Sequence, residues 1–455
     1  MERGSVDRVG GDVTRRDLGG GLALRWTGPA DAERVAEFTA YAFRNAPEDP
    51  PLAGLGAQVR DWMSGRHPLV GPEDFVIVED TATGAIVASS CLMRQEWEYD
   101  GIPFDVGRPE FVVTDEGYRN RGLIRAIFTA IHERGAARGE LVQGITGIPY
   151  FYRQFGYEYA LDLEGGRGAY FATIPDAPAA EPEPYALREA TPDDLPFIMA
   201  LYDRRRAGLL VSTRVPGDFW RSTFSAPRDA YNMHWCLYVI VDAAGAPRGY
   251  IRVSSKRWGE NLWVWDWATE DGMSLRATGA PILRALRELA KRTPHVTGDD
   301  KPVTGIWLAL HREHPLYAAL GEAVAPRTIA PYAWYVRVPD LPGFLRHIAP
   351  ALERRLATSA MAGHTGDLRI DFYRGGLRLT FADGRLTGAE PWRRPVWGER
   401  QGAGFPPLVF LQLLFGHRSL AELRAAFPDV LANDEATPLL DALFPKRVSW
   451  VPYPE

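Results

Sequence analysis

The sequence predicts a mixed α/β (α+β) fold that is divided into more than one domain. The chain has 455 residues, which is more than a single hydrophobic core of ordinary size accommodates. Short apolar runs typical of strands alternate along it with amphipathic patterns typical of helices. Two stretches, beginning near residues 24 and 187, also open with the same succession of residue types. These observations favour repeated α/β units.

Composition and charge restrict the classes of function. Hydrophobic residues make up 46% and charged residues 24% of the chain, which is typical of a folded globular protein. The formal net charge of −6 gives no basic footprint, so neither nucleic acid nor a membrane is an expected partner. The chain has two cysteines, no signal-peptide pattern before Gly21 and no long uninterrupted apolar run. We therefore expect a cytoplasmic protein.

Proline and glycine usage divides the chain. Residues 1–21 are rich in Gly, Arg and Asp without periodicity, which predicts a disordered tail that includes the three consecutive glycines at its end. Four prolines in residues 175–184 predict a linker, because they fit neither a helix interior nor a central strand. With a weaker boundary near residue 339, the expected domains are 22–174, 185–338 and 339–455.

The two matching openings favour a duplicated domain. Each has a Leu-Arg pair, then a proline and an aspartate, and then the same apolar face of a helix. Chance similarity is the alternative, since strand-to-helix openings of this kind are common. The matching residues are Leu24, Arg25, Pro29, Asp31, Val35 and Phe38 in the first stretch, and Leu187, Arg188, Pro192, Asp194, Ile198 and Leu201 in the second.

Hydrophobic periodicity places the elements of the first and last domains. Alternating or continuous apolar runs predict strands, and apolar residues three and four apart predict helices. In the first domain, strands are expected at 75–79, 86–95, 97–99, 110–114 and 141–146, with helices over 123–131 and 149–155. In the last, helices are expected over 344–356, 410–415 and 420–427, with strands at 368–373 and 377–381.

The turn after the strand that ends at Thr114 has the composition of a diphosphate site. It runs from Asp115 through a basic, glycine-containing segment into the helix that contains Leu123. Backbone N–H groups at a helix N-terminus and the helix dipole attract phosphate, and Gly122 lets a ligand approach the backbone. Taken alone, the same pattern also fits a solvated basic helix start with a turn glycine.

Two motifs resemble a known family. Arg119-Asn120-Arg121-Gly122-Leu123-Ile124 resembles the Arg/Gln-x-x-Gly-x-Gly/Ala pyrophosphate loop of the GNAT N-acetyltransferase superfamily, although Ile124 stands where most members have Gly or Ala. The segment from Gly147 to Glu158 resembles the Tyr-x-x-Phe-Gly-Tyr element of its Eis (enhanced intracellular survival) branch. The resemblance implies two tandem GNAT-like domains, the second degenerate, followed by a domain similar to sterol carrier proteins.

The resemblance also implies how acetyl-CoA is bound. Backbone atoms at the end of the strand would hold the pantetheine arm and polarise the thioester carbonyl, the amides of the following turn would hold the pyrophosphate, and a later segment would line the far side of the cleft. On the matching positions, these are Val112, Val113 and Thr114; then Asn120, Arg121, Gly122, Leu123, Ile124 and Arg125; then Gly147 and Ile148.

Two catalytic roles follow from the same resemblance. Tyr152 would protonate the departing CoA sulfur, which a tyrosine hydroxyl of pKa about 10 is able to do at neutral pH. Aromatic packing is the alternative role for Tyr152, since Tyr150, Phe151 and Phe155 surround it in sequence. The terminal carboxylate of Glu455 would be the general base.

The function expected on this basis is acetyl transfer from acetyl-CoA to a primary amine by direct attack, without a metal. The acceptor would be a small molecule or peptide, such as an amino sugar or aminoglycoside, a polyamine or a lysine, and the resemblance implies a homo-oligomer built as a trimer-based hexamer. Glu96, Glu98 and Asp100 fit two roles equally well, attraction of a cationic amine or a solvated strand edge. The rival function is a non-catalytic lipid-binding or scaffold protein.

Three other features are expected to be structural. His311 and His314 are spaced like a metal pair, but no third ligand is near them and Pro315 follows. In the second domain, Glu270 and Asp271 occupy the turn where a phosphate loop needs positive charge, which predicts a catalytically silent domain. The apolar helices after residue 408 fit inter-domain packing or, alternatively, a lipid pocket.

Overall fold

The computed structural model describes residues 15–177, 182–225, 231, 234–298, 301–395 and 402–452. It has a mixed α/β architecture with three β-sheets, as the sequence predicts. The described residues form two compact units. The first comprises residues 15–94 and 107–138, and the second comprises residues 95–106 and those from 139 onward. None of the helices in the described ranges is long and apolar enough to cross a membrane.

The first unit is a sheet with α3 packed on it. Strands β1 to β4 pair antiparallel in chain order, and β5 is the next neighbour. Leu123, Ile127 and Ile131 of α3 pack with apolar side chains of β2, β3 and β4. The strands are β1 (Arg16–Gly19), β2 (Leu22–Trp26), β3 (Phe75–Asp80), β4 (Ile86–Tyr99) and β5 (Ile102–Thr114), and the helices are α1 (Ala32–Ala42), α2 (Ala53–Trp62) and α3 (Leu123–Ala137).

The predicted disordered tail over residues 1–21 is wrong at its end. Arg16–Gly19 form β1, which pairs with β2. Gly19, Gly20 and Gly21 have φ angles of 77°, 62° and 75°, a left-handed conformation that glycine adopts at little cost. The glycines therefore form the tight turn of a β-hairpin. Residues 1–14 lie outside the described residues.

The duplicated opening corresponds to a repeated local structure. Arg25 in β2 donates hydrogen bonds of 2.8 and 2.7 Å to Asp31, and Arg188 donates bonds of 2.7 and 2.6 Å to Asp194. Each aspartate also accepts a hydrogen bond from the amide three residues before it, which closes a 3-10 turn that begins with proline. The side-chain hydrogen bond from Arg188 lowers the pKa of Asp194 to about 2.

The second unit contains β6, β7, β10 and β16 and the whole of the second sheet. Residues 96–99 of β4 pair with β10, and β16 lies between β6 and β7. The second sheet has the order β15-β8-β14-β13-β12-β11-β9. Its strands and those near it are β6 (Val142–Ile145), β7 (Glu158–Leu163), β8 (Gly166–Tyr170), β9 (Tyr185–Glu189), β10 (Val211–Arg214), β11 (Trp235–Asp242), β12 (Pro247–Ser254), β13 (Asn261–Thr269), β14 (Gly305–Leu308), β15 (Arg327–Ile329) and β16 (Tyr332–Arg337). The helices here are α4 (Leu195–Arg206), α5 (Gly217–Ser225), α6 (Leu275–Arg292) and α7 (Pro315–Val324).

Two strands exchange places between sheets. β8, which precedes the proline-rich segment, pairs with β14 and β15 of the second sheet. β16, the last strand of the expected second domain, pairs with β6 and β7. The expected boundaries at 175–184 and near residue 339 therefore separate stretches of sequence whose strands are interleaved. Residues 178–181 of the expected linker lie outside the described residues.

The last segment forms a third sheet with helices around it. The expected helix over 344–356 is two helices, which meet at Ile348; Pro350 has no N–H to continue a helix through this point. Buried rings of Phe405, Phe410 and Phe444 pack edge to face at 5.4 Å. The elements are α8 (Leu341–His347), α9 (Ala349–Ala357), β17 (Gly366–Asp371), β18 (Gly376–Ala382), β19 (Arg385–Trp392), β20 (Ala403–Gly404), α10 (Phe410–Leu414), α11 (Leu420–Ala426), β21 (Leu431–Ala432) and α12 (Ala436–Leu443).

Candidate functional site

The end of β5 departs from regular strand geometry. Phe111 has a φ of 51°, which is unusual for a bulky residue and marks a local distortion of the strand. Its ring packs against Trp62 of α2 at 4.9 Å and Phe43 at 6.1 Å. These aromatic contacts hold the distortion immediately before the next three residues. Val112, Val113 and Thr114, which sequence analysis assigned to the pantetheine arm, are half-buried.

Two left-handed residues shape the turn between β5 and α3. The side chain of Asp115 accepts a hydrogen bond of 2.9 Å from Gly117 N and closes a 3-10 turn. Asn120 then has a φ of 62°, and Gly122, the residue before α3, has a φ of 76°. Reversals of this kind point backbone N–H groups toward one side of a turn, where they attract anions.

The N-terminal end of α3 is open. The first helical hydrogen bond is donated by Ala126 to Gly122 O at 3.1 Å, so the helix itself offers no carbonyl to the amides of its first turn. A Cβ placed on Gly122 would meet no atom of the described residues within 4 Å. This arrangement has room for a phosphate group directly against the backbone.

Side chains around the turn add positive charge. The side chains of Asn120, Arg121 and Arg125 are exposed, and Arg121 lies over the ring of Tyr118 at 4.7 Å while it donates to Gly117 O. Ile124, the departure from the superfamily pattern, is half-buried and packs on the hydrophobic core of the first unit. Its side chain is therefore accommodated by the protein interior.

The corresponding turn in the second repeat is closed. The chain passes from β13 through an acidic turn into α6, but the side chain of Ser274 accepts a hydrogen bond of 3.2 Å from Ala277 N and caps this helix. Asp271 in the turn forms an ion pair with Arg204. Gly279 lies within α6 and faces Leu320 of α7. The turn before α3 is thus basic and open, whereas the turn before α6 is acidic and capped.

A cavity of about 570 Å³ lies in the first unit, beside the end of β5. One wall is formed by Thr114, Asp115, Glu116, Gly117 and Arg119, and the other by Tyr41, Ala42, Arg44, Asn45, Ala46 and Pro47 from the end of α1 and the following turn. The lining is strongly polar. Sequence analysis did not identify the residues of the second wall.

In the second unit, Tyr152 lies in a buried aromatic cluster. It begins a 3-10 turn, Tyr152–Phe155, that ends at Gly156 with a φ of 87°, and 3% of its surface is exposed. Its ring makes edge-to-face contacts with Phe151 at 5.2 Å and Tyr335 at 5.4 Å. These contacts are compatible with the packing role as well as with the acid role.

A tyrosine cluster, Tyr159, Tyr332 and Tyr335, holds the segment before Tyr152. The hydroxyl of Tyr332 lies 3.1 Å from Gly147 O, and that of Tyr335 lies 3.1 Å from Ile148 O. The Tyr159 hydroxyl lies 3.0 Å from that of Tyr332 and 2.7 Å from that of Tyr335. Burial disfavours ionisation of Tyr159, but hydrogen bonds from Tyr332 and Tyr335 outweigh it and lower its pKa.

The held segment has strained and exposed residues. Tyr150 has a φ of 60°, and its N–H donates to the Tyr159 hydroxyl at 3.2 Å. Ile148 is 50% exposed and Tyr150 is 68% exposed. Because the side chains contribute little burial here, the tyrosine hydroxyls fix this backbone. Two of the three tyrosines come from β16, so local sequence pattern could not have identified them.

The acidic residues suggested as an amine attractor are neutralised. Glu98 pairs with Arg206 and accepts a hydrogen bond of 3.0 Å from Ser212. Asp100 pairs with Arg355 at 3.0 Å and Arg447 at 2.7 Å, and Glu96 pairs with Arg214 at 2.8 Å. These charges are compensated by arginines distant in sequence, so a cationic acceptor would have to compete with the arginines for them.

The C-terminal segment is anchored in the second unit as far as the structure describes it. Trp450 N donates to Val211 O at 2.9 Å, and Val451 O accepts a hydrogen bond of 3.2 Å from Trp334. The guanidinium of Arg205 lies 3.7 Å from the centre of the Trp450 ring. Residues 453–455, and with them Glu455, lie outside the described residues.

His311 and His314 are buried and serve the backbone. The Nδ1 atom of His314 accepts from Leu316 N and caps α7, and its Nε2 lies 3.1 Å from Trp267 O. Burial lowers the pKa of His311 to about 3. Within the described ranges, no group of three or more His, Cys, Asp or Glu side chains is arranged to hold a metal ion.

Comparison with known proteins identifies the fold of residues 24–160. The family model of the acetyltransferase (GNAT) domain matches residues 24–160. None of the curated protein sequences matches the chain. The chain therefore contains a GNAT acetyltransferase domain, a fold that supports acyl transfer in general.

Solved structures resemble nearly the whole chain. A GCN5-related N-acetyltransferase from Kribbella flavida is 17% identical with a TM-score of 0.62, and the match covers 94% of this chain and 97% of that protein. One from Anabaena variabilis is 14% identical with a TM-score of 0.63, at 94% and 99% coverage. Eis1 from Mycobacterium abscessus is 16% identical with a TM-score of 0.57, at 94% and 99%. At these identities the likeness is one of fold.

The tyrosine cluster generates a prediction about the segment 147–150. Tyr335→Phe removes the hydroxyl that Ile148 O and Tyr159 share, so amide hydrogen exchange in this segment should accelerate roughly three- to tenfold, as expected for one hydrogen bond. Tyr332 is 41% exposed and water can replace its hydroxyl, so Tyr332→Phe should have a smaller effect. Equal exchange in wild type and Tyr335→Phe would contradict the assigned role.

Proposed function

We propose that this protein transfers an acetyl group from acetyl-CoA to a primary amine. The observation that carries the proposal is the open N-terminal end of α3, where two left-handed residues and the unobstructed Gly122 follow the last strand of the first unit. A GNAT family match over the same residues agrees with it. The closed turn of the second repeat supports one active domain per chain, and the intact first turn speaks against a solely lipid-binding or scaffold role.

In the proposed reaction, backbone atoms of Val112, Val113 and Thr114 bind the pantetheine arm and polarise the thioester carbonyl. The amides from Asn120 to Arg125 take the diphosphate, and Gly147 and Ile148 line the cleft. The amine attacks the carbonyl carbon directly, the carbon–sulfur bond breaks, and the sulfur receives a proton. No covalent intermediate on the protein and no metal is required.

Two groups complete the proton balance in this proposal. Tyr152 gives its hydroxyl proton to the departing sulfur, and its burial among aromatic rings keeps bulk water from competing as the donor. The carboxylate of Glu455, the last residue of this sequence, accepts the proton that the amine releases. The hydrogen bonds of Trp450 and Val451 to strands of the second unit, which also contains Tyr152, support this role.

Acetyl-CoA should stabilise the protein against thermal unfolding. At a concentration one hundred times its dissociation constant, linkage gives about 2.7 kcal/mol. Arg121→Glu should remove this stabilisation because it places negative charge beside the diphosphate. Arg66→Glu, which changes an exposed arginine of the same unit, should retain it. Calorimetry should give one site per chain; no stabilisation of the wild type would refute the proposal, and two sites would refute a silent second repeat.

Replacing Tyr152 by phenylalanine should lower kcat by a factor of ~10²–10⁴, the usual contribution of a general acid. The affinity for acetyl-CoA should change little, because the hydroxyl acts only as charge develops on sulfur. Tyr170→Phe, at an exposed tyrosine, is the matched control. If Tyr152→Phe keeps full kcat while chemistry limits the rate, Tyr152 is a packing residue.

Appending two glycines after Glu455 should depress turnover while it leaves acetyl-CoA binding intact. The extension moves the terminal carboxylate by several ångströms, and general base catalysis needs the base within hydrogen-bond reach of its proton. Two glycines added at the amino end serve as the control. Unchanged turnover in the extended protein would remove Glu455 from the mechanism.

A further inference from the structure

We infer that the cavity of the first unit is an anion site built on Arg44, and that its ligand is a carboxylate or phosphate group on the acceptor amine. The second part rests on the proposed function and narrows its substrate class. The first part depends only on the cavity and on the guanidinium of Arg44, which is stacked and has no ion pair within the described residues.

Arg44 is prepared to bind an anion. It follows α1, and its guanidinium carbon lies 3.6 Å from the centre of the Tyr41 ring, a stacking that fixes the plane of the group. The Nε atom is buried and has no hydrogen-bond partner in the described residues, and no carboxylate there lies within ion-pair distance of the side chain. A planar guanidinium binds carboxylate or phosphate through two parallel hydrogen bonds.

The state of Arg44 differs from that of most arginines in the same unit. Arg25 and Arg34 both pair with Asp31 and Glu79. Arg16, Arg60, Arg108 and Arg138 each form an ion pair with a carboxylate as well. Arg44, like Arg134, is half-buried and forms no ion pair within the described residues, and it lines a cavity. A buried donor without a hydrogen-bond partner is costly, and the rest of the guanidinium is available to a ligand in the cavity.

The opposite wall suits the same ligand. Arg119 faces the cavity and forms no ion pair within the described residues, which gives two cationic groups around one space. Asp115 is occupied by its hydrogen bond with Gly117 N. Glu116 is the remaining carboxylate of the lining and can receive the ammonium end of a zwitterionic molecule. A compound with both an amine and an acid fits this distribution of charge.

The residues that line the cavity differ from those proposed to hold the phosphates of acetyl-CoA, although Arg119 begins the same motif. In the proposed function the diphosphate is held by residues 120–125, and none of these lines the cavity. The cavity instead reaches Thr114, at the end of the strand where the acyl group would be presented. We therefore assign the anion to the acceptor, an amine that also carries a carboxylate or a phosphate, rather than to a purely cationic polyamine.

The test compares matched acceptors in wild type, Arg44→Gln and the control Arg66→Gln, which removes an exposed arginine of the same unit. The acceptor pairs are L-amino acids with their carboxamides, and O-phosphoethanolamine with ethanolamine. For each protein we would measure kcat and KM for every acceptor, the Kd of acetyl-CoA, and the binding of each acceptor to the protein alone and to its CoA complex.

Arg44→Gln should raise KM for the acidic member of a pair roughly 10- to 100-fold, the range expected for hydrogen bonds to a charged group. KM for the neutral member, kcat and the Kd of acetyl-CoA should stay within about twofold, as should every value for Arg66→Gln. Preference for the carboxylate or for the phosphate pair identifies the acid. Comparing each variant with wild type cancels the different basicities of the amines.

Unchanged selectivity in Arg44→Gln would overturn the inference. Weaker acetyl-CoA binding in Arg44→Gln, with acceptor selectivity unchanged, would assign Arg44 to the cosubstrate and overturn the acceptor class. If wild type fails to bind acetyl-CoA, the proposed function fails by itself. Arg44-dependent binding of an acidic probe to the protein alone would then still support the anion site, and its absence would refute it.

Discussion

The N-terminal end of a helix must have its first amides satisfied from outside the helix, and this constraint distinguishes the two repeats. In α6 the protein supplies its own acceptor, the hydroxyl of Ser274. In α3 the corresponding position is Gly122, which has no side chain to offer and a conformation that opens the turn. The first amides of α3 therefore depend on water or a ligand. One repeat has kept a ligand site and the other has closed it with a cap.

The exchanged strands give the second repeat a structural role although its turn is closed. β16 is the last strand of the expected second domain, but it lies between β6 and β7 and supplies Tyr332 and Tyr335. Their hydroxyls bind the carbonyls of Gly147 and Ile148, in a segment that side-chain burial does not fix. The geometry around Tyr152 therefore depends on a strand at the end of the expected second domain. A first repeat isolated at residue 174 would lack these contacts.

The sequence predicted features whose cause is local. The turn into α3 could be identified because its glycine, its basic residues and the apolar face of the helix are adjacent in sequence. The repeated opening could be identified because Arg25 and Asp31, like Arg188 and Asp194, lie six residues apart and bind each other directly. The hairpin at Gly19 could not be predicted from composition, because a glycine run looks the same in a disordered tail and in a tight turn between paired strands.

Features with a long-range cause were not accessible in the same way. The tyrosine cluster joins residues more than 170 positions apart, and no periodicity or motif in the sequence predicts such a contact. The ion pairs of Glu98 and Asp100 could not be predicted either, because their partners Arg206, Arg355 and Arg447 are remote in sequence. The absence of an ion pair to Arg44 within the described residues is likewise visible only in the structure. An arginine that is stacked, half-buried and without an ion pair at a cavity has a binding capacity that the described residues do not use.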